Sequence, residues 1–146
     1  MLSVIVVATD EGERLLGILA VLTSAAVEGL IREVTIVGGG PQDLLEVLRE
    51  ETGAELAASL GEALKIARSE LLLVLPADYR PRLGWVEALA LHLRGGGREA
   101  LMAGDGGGFL KAAPSGVLIA RAKAQALAHP DLKRLRRELS HARRLG

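Results

Sequence analysis

An aspartate that follows a run of buried aliphatic residues stands where a phosphate-bound cation or a ribose is readily held. Asp78 has that position, behind Leu71-Leu-Leu-Val-Leu75 and ahead of Tyr79-Arg80. Its carboxylate would offer a hard oxygen ligand to Mg²⁺ or Mn²⁺, ions that keep several waters and take further ligands from substrate phosphates. The competing use is a turn in which the side chain bonds its own backbone. Asp10 and Glu11, behind the apolar run 2–8, would accept hydrogen bonds from a base or ribose, or else favour the first turn of a following helix. Gly38-Gly39-Gly40-Pro41 would let a phosphate or ribose approach the backbone, or would turn the chain into a helix opened by Pro41. The triplet is neither a Walker loop, since no Gly-Lys-Ser/Thr follows, nor a dinucleotide fingerprint.

Composition removes other chemistries. The 146 residues include no cysteine, which excludes disulfides, thiolate nucleophiles and zinc-thiolate sites. His92 has no partner at metal-ligand spacing and reads as a surface or helix-end residue. His129 and His141 lie in a basic tail without the makings of a triad. Lys65 and Arg68 would reach a phosphate or, on an otherwise apolar helix, mark its solvated face. With 49% of the chain apolar but only one Phe, one Trp and one Tyr, the core must be aliphatic.

The formal charge is zero, yet residues 121–146 carry eight Lys/Arg against Asp131 and Glu138. Residues 1–120 therefore hold 10 basic and 16 acidic side chains. The tail over 131–145 has an apolar stripe at Leu132, Leu135, Leu139 and Ala142. Packing on the acidic remainder of the chain, an interfacial helix on anionic lipid and a nucleic-acid contact are its three competing uses. Scarce stacking aromatics argue against the last, so no nucleic-acid partner is expected. The apolar start is too short to span a bilayer and has no basic leader, so a cytoplasmic location is expected. Contact of the basic helix with lipid would make it peripheral to the inner face of the membrane.

These residues need elements to position them. Buried strands are expected over 2–8, 34–37, 54–58 and 71–75, alternating with helical periods over 13–26, 43–51 and 59–67, the last opened by a capping box at Ser59 and Glu62. That rhythm belongs to βαβ units around a parallel sheet, where ligands gather beyond the carboxyl ends of strands. The loops over 9–12, 38–41 and 76–80 occupy such ends. The second half is less regular: helices are expected over 85–93, 120–128 and 131–145, short strands over 101–103 and 117–119, and a glycine-rich turn over 104–108.

Several of these segments resemble family 2 glycosyltransferases. Ser3-Val-Ile-Val-Val-Ala-Thr-Asp-Glu11 is similar to their opening strand and Asn-Glu turn. Val34-Thr-Ile-Val-Gly-Gly-Gly-Pro-Gln-Asp43 is similar to their second strand and its aspartate-glycine turn. The stretch from Ser59 to Asp78 resembles the helix and strand that lead into an Asp-x-Asp metal motif, and Arg82-Leu-Gly-Trp85 stands where the family often has Pro-Gly-Trp. The ending, Glu138-Leu-Ser-His-Ala-Arg-Arg-Leu-Gly146, resembles the helix after the family's acidic catalytic motif.

The resemblance implies an α/β, single-domain, GT-A-like (Rossmann-like) fold with a mainly parallel sheet flanked by helices. It divides residues 1–146 into a nucleotide-binding half (1–81), an acceptor-side half (82–120) and basic closing helices (121–146). It further implies transfer of a sugar from a nucleotide-diphosphate donor to an acceptor, with inversion and with Mg²⁺ or Mn²⁺. Donor contacts would fall on Ala8, Thr9, Asp10, Glu11, Gly38, Gly39 and Ala77, and the metal on Asp78. The nearest carboxylates to the catalytic-base position are Asp131 and Glu138. The family's proline is replaced at Val7 and its polar residues at Gly38, Gly61 and Pro76, so a binding or assembly module on the same fold, without catalysis, is the alternative; such a module would be free to oligomerise. A nucleotidyltransferase would want a glycine-rich loop with a lysine after the first strand, which residues 9–13 do not provide.

Overall fold

β-Branched and leucine-rich runs with no room for a polar face become the centre of a sheet. In the computed structural model, which describes residues 1–8, 12–38, 42–107 and 113–145, β1 (Leu2–Val7), β2 (Ile31–Val37), β3 (Glu55–Ala57) and β4 (Leu71–Pro76) pair in parallel in the order β3-β2-β1-β4. β1 sits between β2 and β4 and is buried along its length except at Val7. Between them run α1 (Gly12–Val27), α2 (Gln42–Thr52) and α3 (Leu60–Ile66). The capping box forms as expected: Ser59 Oγ accepts from the Glu62 amide at 3.2 Å, while the Glu62 carboxylate accepts from the Ala58 amide at 2.9 Å, one residue before the cap.

Beyond β4 the sheet changes direction. α4 (Trp85–Arg94) leads to β5 (Ala100–Met102) and β6 (Gly116–Ala120), and β6 inserts antiparallel between β4 and β5. α5 (Arg121–Gln125), α6 (Leu132–Glu138) and β7 (Arg143–Leu145) follow, with β7 parallel to β5 at the far edge. The result is a seven-stranded mixed sheet with helices on both faces. Strand alternation sorts the core. Val4, Val6, Leu73, Leu75 and Leu118 face one layer with α1, α2 and α4; Ile5, Leu72, Val74, Val117 and Ile119 face the other with α3, α5 and α6.

The closing segment differs from the helix expected over 131–145. α6 stops at Glu138, turns through 139–142, and the chain then lies along β5 as β7. Local periodicity favoured a continuing helix, but the edge of β5 offers backbone partners: the Ala103 amide donates to Leu145 O at 2.8 Å, and Leu145 is buried. Helix 120–128 is likewise shorter, because Ala120 belongs to β6 and the turn of α5 closes at Ala126 ahead of Pro130. The apolar stripe of α6 is turned inward, with Leu135 and Leu139 in the core, which bears out packing on the chain itself as the use of that stripe. Among the described residues no helix is long and apolar enough to cross a membrane.

Candidate functional site

Hydrogen bonding carries the parallel ladder one residue past the strands. Ala8 N donates to Val37 O, Gly38 N to Ala57 O and Ala77 N to Val7 O, each at 3.0 Å. Three of the expected donor contacts, Ala8, Gly38 and Ala77, therefore stand together at one end of the sheet. Gly38 has φ of 70°, a left-handed conformation that an L side chain would enter only with strain. Thr9, Asp10, Glu11 and Gly39 lie outside the described residues. Strand order reverses between β1 and β4, the place where open α/β sheets leave a crevice.

A cleft of about 560 Å³ opens at that end, between Ile18 and Val21 on α1, the loop over 77–81, and Asp105, Gly106 and Pro114 from the β5–β6 connection. Asp78 and Ala77 line it; Ala8 and Gly38 lie outside its lining. The loop carrying Asp78 is held from below. Tyr79 N donates to Pro76 O at 3.0 Å, closing a tight turn, and the buried Tyr79 ring directs its hydroxyl to Ala103 O at 3.1 Å. Burial pushes the phenol up to about 12; Arg82 works against that shift and Asp105 adds to it.

The two walls are tied directly. Asp105 N donates to Arg80 O at 2.7 Å, Pro81 bridges Gly104, and Arg82 Nε lies 3.4 Å from Asp105 Oδ1. Gly104 is required there, since a Cβ would sit 2.5 Å from Pro114 O and 2.9 Å from Arg80 O. The stem of Arg80 lies beside Gly106, at 3.3 Å from where a Cβ would be.

Tyr79 and Asp105 line the cleft and were missed by sequence reading; Arg136 lies outside the lining, tethered to Ser115, the neighbour of Pro114. Asp105 follows a short strand within a glycine-rich turn, the same cue that marked the other loops. Arg136 had no such cue among eight tail cations. It stands on α6, which packs against β6 and β4, and its Nε donates to Ser115 O at 2.9 Å with Nη2 on the same oxygen. Burial lowers the Arg136 pKa, and the Asp78 carboxylate opposes that shift.

Asp131 and Glu138 do not line the cleft. Asp131 caps α6, its Oδ1 accepting from Arg134 N at 2.8 Å, and Glu138 is an exposed residue at the last turn of that helix. Lys65 and Arg68 are exposed, on the solvated side of their segment. His92 is helix-terminal but buried rather than on the surface: its Nε2 donates to Arg98 O at 3.1 Å, closing the turn after α4.

The side chains of the described residues do not make up a divalent-cation site by themselves. Among the described residues no three His, Asp or Glu side chains gather into a metal site. Pro76, where the family resemblance expects a second carboxylate, is the last residue of β4.

No family model matches the sequence, and no curated protein matches it. Solved structures do share the fold. A nucleotidyl transferase from Methanothermobacter thermautotroptrophicus superimposes with a TM-score of 0.59 over 100% of this chain and 86% of its own, at 14% identity. Glucosyl-3-phosphoglycerate synthase from Mycobacterium tuberculosis, solved with Mn²⁺, UDP and glucosyl-3-phosphoglycerate, gives 0.63 over 98% and 68% at 15% identity. The 4-diphosphocytidyl-2C-methyl-D-erythritol synthase from Anaerococcus prevotii gives 0.57 over 95% and 84% at 10% identity. At these identities the likeness is one of fold: the chain has the GT-A-like α/β architecture seen in these nucleotidyl and glycosyl transferases.

Proposed function

We propose that this protein is a glycosyltransferase-like chain that binds a nucleotide-diphosphate sugar in the cleft beside Asp78. The single observation that carries the reading is that cleft's position, at the carboxyl ends of the strands where their order reverses, with Asp78 on its wall. The family 2 resemblance favours a sugar nucleotide over a bare nucleotide and an acceptor that enters from the side of Asp105 and Pro114. Ala8, Gly38 and Ala77 would offer backbone groups to the nucleoside, and the neighbouring Thr9-Asp10-Glu11 and Gly39 would complete its contacts. Among the described residues Asp78 has no companion carboxylates grouped into a cation site, so a metal would draw most of its ligands from the donor phosphates and water.

Nucleotide binding without turnover is the second reading. It is favoured by a specific observation: among the described residues the carboxylates that line the cleft are Asp78 and Asp105, and Asp105 is already engaged by Arg82. Calorimetric titration with UDP-, GDP- and CDP-sugars tests the binding reading. Binding in the micromolar to millimolar range is expected, with Asp78→Ala changing the affinity or enthalpy. Absence of heat with every donor would sink it. Release of free nucleotide from a bound donor would decide for an enzyme over a binding module.

A further inference from the structure

Resting on that reading, we propose that the acceptor carries a neutral apolar body, seated in a groove that runs from the Asp78 cleft along α1 to Trp85. One wall is a single face of that helix. Gly17, Ile18 and Val21 line the Asp78 cleft; Ser24 and, one residue past the helix, Glu28 line a second hollow of about 470 Å³. These five positions fall within about 120° of the helix circumference and span about 16 Å of its axis. The opposite wall is continuous as well. Pro81 belongs to both hollows, and Arg82 in the second lies 3.4 Å from the Asp105 carboxylate in the first.

The side chains of the groove select its occupant. Ile18 and Val21 at one end, with Leu83, Trp85 and Val86 at the other, give it apolar surface. Leu83 is wholly exposed beside Gly84, whose φ of 80° turns the chain into α4. An apolar group laid over these side chains takes their surface out of water. Among the described residues of the second hollow, Glu28 and Glu87 are exposed carboxylates, while the cation Arg82 is held by Asp105. A phosphate or carboxylate at that end would meet like charge, so the body is neutral.

Gly17 provides clearance in the neck. It stands inside α1, where glycine weakens a helix relative to alanine. A Cβ there would meet no described atom within 4 Å, so packing does not require the glycine. What the missing side chain leaves is open width on the cleft wall facing the loop of Asp78.

The test is a two-dimensional amide NMR titration of the whole chain with n-alcohols from butanol to octanol, with and without UDP, GDP or CDP. Affinity should rise about three- to fourfold per added methylene, the increment of an apolar group leaving water. Shifts should begin at Gly17 and Val21 with the shortest alcohol and extend to Leu83 and the Trp85 indole as the chain lengthens. Leu83→Asp, at an exposed position, should weaken octanol about tenfold while leaving butanol and nucleotide affinity within about twofold. Gly17→Leu should hold or raise the melting temperature yet close the neck to every alcohol. Affinity that does not grow with chain length, or shifts that stay clear of Leu83 and Trp85, overturns the groove and leaves the nucleotide reading standing. Shifts at those two residues on raising protein concentration alone would seat a second copy there, and also overturn it. Alcohol binding with no binding of any nucleotide overturns the acceptor role together with the reading beneath it.

Discussion

Asp131 shows how one carboxylate can look catalytic in sequence and turn out to be engaged elsewhere. It was the nearest acid to the position of a catalytic base, yet its Oδ1 satisfies the Arg134 amide at the first turn of α6. An N-cap bond of this kind contributes about 1 kcal/mol, and asparagine caps about as well as aspartate. Asp131→Asn is therefore expected to retain both stability and nucleotide affinity, whereas Asp131→Ala should lose about 1 kcal/mol in urea unfolding. Loss of function in Asp131→Asn at unchanged stability would return it to the site. Asp78 reads differently, because it lines the cleft. Asp78 was legible in sequence from its place after a buried strand. Arg136 was not, since its partner Ser115 is 21 residues away.

At the scale of elements, α4 and its exit turn form a unit that sequence described only in outline. The helix was expected from Trp85, Leu89 and Leu93, and the glycines after it as its stop. Tertiary packing then buried His92 and set its ring against Gly97. A Cβ on Gly97 would lie 2.3 Å from His92 Cε1, with the rest of the ring scarcely farther. His92 is 8% exposed and tied to Arg98 O, so it has little freedom to yield. Gly97→Ala is expected to cost roughly 1–3 kcal/mol by overpacking. In a double-mutant cycle, His92→Ala should relieve most of that penalty, since the obstacle has gone; simple additivity in thermal melts would reject the contact. β7 is the second case. Its helical period was real in sequence, but pairing with β5 and burial of Leu145 outweighed it.

For the molecule as a whole, the Asp78 loop and the β5–β6 connection are joined through Tyr79, the sole tyrosine of the chain. Its phenol is raised from 10.0 to about 12 chiefly by burial, so the folded state favours the neutral form. Stability from this group is complete below pH 10 and falls as the pH climbs toward 12, because the unfolded chain releases the proton first. The loss should be about 2 kcal/mol across that window. Ultraviolet absorbance is expected to show the single phenol titrating near 12 in the native protein and near 10 in denaturant. Tyr79→Phe should flatten the alkaline slope of stability; an unchanged slope would assign it to other groups.

Sequence alone determined the four alternating strands and helices of the parallel half, the loops at its carboxyl ends and the candidacy of Asp78. Buried β-branched runs and 3.6-residue periods are local properties, and the chemistry of a loop follows from the strand it ends. Tertiary structure alone decided the antiparallel insertion of β6, the turning of the tail into an edge strand, and the tethering of Arg136 to the Ser115 carbonyl. Each depends on pairing between segments distant along the chain, where an open sheet edge or an unmet carbonyl outweighs what the neighbouring residues prefer. The zero net charge likewise hid an acidic body and a basic end. Folding packs the basic end against the sheet of the acidic part through Leu135 and Leu139.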